Sequence, residues 1–232
     1  MFEVGRPIPT DPSLLLPIRS GDRVLILGEA MQLADVATTQ NVTSIVVVPA
    51  GRGEKVGNGK RWLPGQAVSS QRSLPLATAS IDHVIAPQIT HEQSDWVLTE
   101  VARVLKSGGW LFAYVRNTGW TGRFGRWAGM PEHTSTVTPE LSLRACVRLL
   151  EQSRLTVLNR YGVHGDLERA SYLVPLEHPG AVRYFFQRLF VPRSWQASML
   201  QRGATVLTAA GLPQALFSHI AIVAQHTPIL RG

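Results

Sequence analysis

The sequence predicts an α/β protein built on a mostly parallel sheet, and three stretches carry that prediction. Leu74–Asn117 reads as turn, strand, loop, helix, Gly-Gly turn, strand, which is one βαβ crossover. Arg23–Pro49 reads as strand, helix, strand, a second such unit. Phe217–Gln225 (FSHIAIVAQ) alternates well enough to be a last strand.

In chain order, residues 1–20 carry Pro7, Pro9, Pro12 and Pro17 and read as a loop or short helix over the sheet edge. After the Gly21-Asp22 turn, Arg23–Gly28 is a buried parallel strand ending in glycine. A helix over about Gln32–Gln40 leads to Ser44–Pro49, a strand of nearly continuous β-branched residues. Ala50–Gln66 has five glycines and no periodicity. It is a loop, either a disordered connection or a substrate or partner loop carrying Lys60, Arg61 and Trp62. Ala67–Arg72 reads as a short third strand and Asp82–Ala86 as a buried one behind a turn signal. From Trp96 to Lys106, Val97, Val101, Val104 and Leu105 recur at helical spacing, with Gly108-Gly109 just past the end as a stop signal. Trp110–Val115 is the next strand. The stretch 118–140 has four glycines, two tryptophans and two arginines. A helix follows over about Pro139–Gln152, with proline at the first turn after Thr138. Leu155–Val163 is a further strand. Residues 165–215 form a helical insertion before the last strand, with helices over about His178–Phe190 and Trp195–Ala210. The whole of 1–232 reads as one domain with this elaboration.

The composition is that of an ordinary globular chain: 44% hydrophobic and 17% charged residues over 232 positions. No apolar run reaches the ~18 residues needed to span a bilayer. The amino terminus lacks a basic start, apolar core and small-residue cleavage site, so the expected location is the cytoplasm. A single cysteine, Cys146, excludes an intrachain disulfide and a multi-cysteine metal site. It falls in an amphipathic helix and reads as a core thiol. The net charge is +7, with 20 of the 23 basic residues being Arg and only Lys55, Lys60 and Lys106 being Lys. The basic residues are spread without a dense cluster, which argues against nucleic acid as a partner.

The order LP-x(4)-S-[IF]-D … E-x-A-R-V-L-[KR]-x-G-G-x-[LF] resembles the central half of the class I S-adenosylmethionine (SAM) dependent methyltransferases of type 11. It rests on Leu74, Pro75, Ser80, Asp82, Glu100, Ala102, Arg103, Val104, Leu105, Lys106, Gly108 and Gly109. The resemblance implies a Rossmann-like fold with an antiparallel last strand and SAM held outside the carboxyl ends of the strands. It places cofactor contacts at Gly28, Glu29 and Ala30 after the first strand, at Ser70 and Gln71, and at Pro87. The glycine-rich turn is worn: Gly28 remains, but the family's next two glycines fall on Ala30 and Gln32, and its preceding acid on Ile26. The acid that would hold the ribose hydroxyls falls on Val48 or Pro49, and the adenine-reading Asp near Ser70 or Gln71. Losing a bidentate ribose carboxylate costs ~2–4 kcal/mol, or roughly 30- to 1000-fold in affinity. Asp82 reads as orienting its own strand's turn rather than as a ligand.

Methyl transfer to a hydroxyl needs a base near the acceptor and good alignment. His91 and His133 are the candidate catalytic residues. Trp120, Trp127, Tyr161 and His164 are candidates for the substrate wall; packing of a lid onto the sheet is the competing role for the aromatic ones. The Asp/Asn-Pro-Pro-aromatic motif of amino-group methylation on bases is absent, since Ala86-Pro87-Gln88-Ile89 stands there. There is no Gly-x-Ser-x-Gly elbow and no metal-ligand spacing. The resulting expectation is a SAM-dependent methyltransferase-like biosynthetic protein acting on a small molecule or carrier-bound natural product. The alternative is a fold member that no longer transfers methyl groups, either a non-catalytic partner of an active enzyme or a SAM-independent cyclase or isomerase. Residues 165–215 would then serve as a lid, a substrate wall or a homo- or hetero-oligomer surface.

Overall fold

The computed structural model describes residues 15–27, 43–49, 66–69, 73–86, 91–117, 142–165, 170–189, 195–217 and 219–227. Eight strands form one sheet: β1 (Arg23–Leu27), β2 (Thr43–Pro49), β3 (Gln66–Ser69), β4 (Ile81–Ala86), β5 (Leu105–Arg116), β6 (Leu155–Gly165), β7 (Ala170–Pro175) and β8 (His219–His226). Their order is β3-β2-β1-β4-β5-β8-β6-β7. The first five run parallel to one another. β8 is antiparallel to both β5 and β6, and β7 is antiparallel to β6. The sheet is therefore mostly parallel with an antiparallel last strand, as the sequence predicts. The predicted helix over 32–40 lies outside the described residues.

The strands are apolar on both faces because both are covered. One face (Leu25, Val84, Leu111, Ala113, Ile220, Ile222) packs against helix α1 (His91–Val104) through Leu98, Val101 and Val104. Helix α2 (Leu143–Gln152) adds Cys146 and Leu150 to the same core. So do Val182 of α3 (Pro179–Tyr184), Phe185 and Phe186 of the π-helical turn Phe185–Leu189, and Ala204 of α4 (Trp195–Ala209). The other face (Val24, Ile26, Ile85, Phe112, Tyr114, Val163, Ala221, Val223) is covered in part by Leu16.

Four elements differ from the sequence reading. The helix of the central crossover starts at His91 rather than Trp96, and it ends at Val104. Gly108-Gly109 consequently does not stop a helix but lies inside β5, where pairing with β4 shifts register between Ile81 and His83. Gly108 has φ +78, and a Cβ on Gly109 would lie 2.9 Å from the carbonyl oxygens of Asp82 and Lys106. Both positions therefore need glycine for reasons of backbone geometry. Helix α2 begins at Leu143 and is capped at Ser142, whose hydroxyl accepts the Ala145 N–H at 3.2 Å; the expected start near Pro139 lies outside the described residues. The helix expected over 178–190 is split, and the wider π turn buries the consecutive Phe185 and Phe186. The insertion is also not all helical: β6 runs on to Gly165, and β7 pairs antiparallel with its Tyr161–Gly165 segment.

A 3-10 turn, Pro213–Leu216, returns the chain to β8. Phe217 lies flat on Gly162 of β6, where a Cβ would approach its ring to within 2.3–2.5 Å. Gly162→Ala is expected to destabilise the fold by ~1–3 kcal/mol through overpacking, read as a lower midpoint in denaturant at unchanged slope.

Candidate functional site

In an open parallel sheet the ligand crevice lies outside the carboxyl ends of the strands, where the strand order reverses. Here that point falls between β1 and β4, because β1 has β2 on one side and β4 on the other. Gly28, Glu29 and Ala30 directly follow β1, Ser70 and Gln71 follow β3, and Pro87 follows β4. All six lie outside the described residues, as do His133, Trp120 and Trp127. His91 is the first residue of α1, so it opens a helix rather than sitting in a loop.

Whether SAM fits this edge depends on two parts of it. The strand order supplies a switch point, where ligands of open α/β sheets bind. The end of β2 does not supply a ribose anchor: Val48 and Pro49 are its last residues, with Pro49 opposite Ser69 of β3. Neither residue type carries a carboxylate.

Tyr161 and His164 belong to β6 but do not form one wall. Tyr161 packs with the face that holds Tyr114 and Val163. His164 faces the helical side, with its ring 5.3 Å from Phe185 edge-on and 6.2 Å from Tyr172. Burial pushes the His164 imidazole below 6.5 and pushes the Tyr161 phenol up, aided by the charge of Glu177. Two residues at this edge have no part in the sequence reading. His219, buried, opens β8 between Arg116 of β5 and Val163 of β6. Asn117, at the end of β5, donates from Nδ2 to the carbonyl oxygens of Gln214 at 2.9 Å and Phe217 at 3.1 Å. It ties the return of the insertion to the carboxyl edge. A polar amide two residues past the apolar run Leu111–Val115 was the available signal for it.

The signature residues of the central crossover gather at the opposite, amino-terminal edge. Asp82 accepts the Arg23 N–H at 3.0 Å and the Lys106 ammonium at 2.7 Å, joining the starts of β1, β4 and β5. Buried His83 meets Asp22 at 2.9 Å, and Asp22 also accepts the Arg19 N–H. Glu100 accepts two hydrogen bonds from Arg103, at 2.8 and 2.7 Å, and one from the Leu74 N–H at 2.7 Å. Arg103 in turn donates to the carbonyls of Leu74 and Leu76. This network fixes the turn before β4 onto α1. It is scaffold, and Asp82 joins the starts of three strands rather than orienting only its own strand's turn.

These groups set the acid limb of stability. The Arg103 hydrogen bonds, opposed by burial, hold Glu100 below its ordinary 4.5. For Asp82, burial raises the carboxyl, but Lys106 and the Arg23 amide outweigh it and the net shift is downward. A depressed carboxylate contributes stability above its unfolded value and loses it as pH falls through the folded one. His164 acts in the same sense, since below 6.5 the unfolded chain takes up a proton that the buried ring resists. The melting temperature should therefore begin to fall below 6.5 and fall steeply below 4.5. His164→Phe should remove the first part of that decline. The Cys146 thiol, buried and pushed up to about 12, is not a nucleophile.

Among the described residues no cluster of His, Cys, Asp or Glu could hold a metal ion, and no helix is long and apolar enough to cross a membrane. Residues 31–113 match the family described as a methyltransferase domain. A chain from the Haloferax volcanii complex of the Trm112 methyltransferase activator with a methyltransferase is 18% identical, with a TM-score of 0.56, 95% of this chain covered and 89% of that one. A SAM-dependent methyltransferase from Archaeoglobus fulgidus is 14% identical, with a TM-score of 0.54 and coverages of 91% and 89%. The [4+2]-cyclase SpnF is 17% identical, with a TM-score of 0.51 and coverages of 93% and 78%. No curated protein matches the chain. The resemblance to the class I methyltransferase family is thereby borne out, together with its fold.

Proposed function

We propose, for a chain with the class I methyltransferase fold and that family's domain over residues 31–113, that it is a SAM-dependent methyltransferase of a small molecule or carrier-bound natural product. The observation that carries the reading is the strand reversal between β1 and β4, with Gly28-Glu29 directly after β1. SAM would supply an electrophilic methyl group there. Gly28, Glu29 and Ala30 would hold its amino-acid end, and Ser70, Gln71 and Pro87 its nucleoside. His91, in the first turn of α1, would take the acceptor's proton, with His133 as the other candidate. Trp120, Trp127, Tyr161 and His164 remain the candidates for the substrate wall, with Tyr161 and His164 serving opposite sides of the sheet. The test is incubation with methyl-labelled SAM and a panel of hydroxylated small molecules and carrier-bound acyl groups. Formation of S-adenosylhomocysteine with one acceptor supports the reading. No turnover with any of them, together with no SAM binding, defeats it.

The end of β2 favours a second reading. With Val48 and Pro49 where a ribose-binding acid belongs, the fold would serve SAM-free chemistry. A [4+2]-cyclase with the same fold supports that use of the cavity. Residues 165–215, which add β7, α3 and α4 to the sheet, are the candidate surface for a homo- or hetero-oligomer. The activator complex of the Haloferax volcanii relative supports a second protein as the partner.

A further inference from the structure

We propose that the exposed flank of α4 is the docking surface for an acidic protein. The inference rests on reading 165–215 as an interaction surface and is independent of methyl transfer. Helix α4 has apolar residues on two sides. One side, with Ala204 and Leu207, packs against the protein. The other carries Trp195 (66% exposed), Met199 (52%) and Val206 (66%). Their spacing of four and seven residues aligns them on one stripe about 16 Å long, and the exposed Arg202 falls in the same line. Arg183 and Arg188, exposed on the adjoining α3 and π turn, extend the positive charge.

The charge identifies the occupant. From His178 to Gly232 the chain has five arginines and no aspartate or glutamate. Most of the net charge of +7 therefore sits in the last 55 residues. A second copy of this chain is a poor occupant, because a two-fold contact sets the same patch on both sides and would face arginine with arginine. A membrane-surface helix presents a broad apolar face to lipid, and here one side of α4 is already buried in the protein. Trp, Met and Arg with no Lys, Glu or Asp is the composition of a protein-binding core. An acidic partner would pair the arginines around it.

The test places a photo-cross-linking phenylalanine analogue at the exposed Thr205 of the full chain in native extract. The captured chain is then purified and titrated against wild type, Met199→Glu and Arg202→Glu at ~50 and ~300 mM salt. The expected result is one partner of net negative charge, bound one to one and more weakly in high salt. Each substitution should weaken it at least ~tenfold with the unfolding midpoint unchanged, since both side chains are exposed. Cross-linking only to a second copy, or no captured chain, overturns the proposal. So does a partner indifferent to both substitutions. Phosphatidylglycerol vesicles that bind wild type and lose both variants would make the surface a lipid one and overturn it equally.

Discussion

Arg103→Ala is expected to lower the stability of the fold by ~2–4 kcal/mol, a large loss for a single polar side chain. The guanidinium satisfies the Glu100 carboxylate and two backbone carbonyls, those of Leu74 and Leu76, at 2.7–3.0 Å. Removing it leaves Glu100, whose side chain is only 13% exposed, with its charge uncompensated beside a buried leucine turn. Arg103→Lys should recover part of the loss, because one ammonium cannot reach all the acceptors of a planar fork. Equilibrium denaturation reads the difference. Because this network lies at the amino-terminal edge of the sheet, ligand affinity of the folded Arg103→Lys variant should be unchanged. A loss of affinity without a loss of stability would place Arg103 in the site and contradict the assignment.

The second large effect runs the other way. Restoring an acid at the end of β2, by Val48→Asp or Pro49→Asp, is expected to tighten SAM by roughly 30-fold or more in whichever variant directs its carboxylate at the ribose. Pro49 is paired with Ser69 at the last rung of β2 and β3, so the substitution sits at the strand end. Calorimetric titration of both variants reads the gain. If neither binds SAM better than wild type, the crevice is not shaped for a nucleoside and the SAM-free reading takes precedence.

The sheet was legible in the sequence because parallel strands covered on both faces read as unbroken apolar runs, as in Val24–Leu27 and Leu111–Val115. The crossover signature was legible too, but it marks the end of the sheet opposite the candidate crevice. Asp82, Glu100, Arg103 and Lys106 staple strand starts and a turn. What eluded sequence reasoning depends on pairing over long separations. β7 pairs with Tyr161–Gly165 of β6, and the six-residue run ASYLVP, short and without strict alternation, looks like loop until its partner is known. His219 and Asn117 reach the carboxyl edge only through the β5-β8-β6 register. The division of Tyr161 from His164 follows from side-chain alternation once β6 is continuous through both. The helix start at His91 was hidden because His91–Asp95 is polar and has no apolar periodicity to reveal it.

The central claim is that the crevice between β1 and β4 takes SAM. Calorimetric titration of the purified chain with SAM and with S-adenosylhomocysteine tests it most directly. The account predicts one-to-one binding of both, with a dissociation constant between ~10 μM and ~1 mM, weakened by the missing ribose acid but measurable. Absence of heat and of competition with either ligand at millimolar concentration would contradict it, and would mean that this fold has left methyl transfer behind.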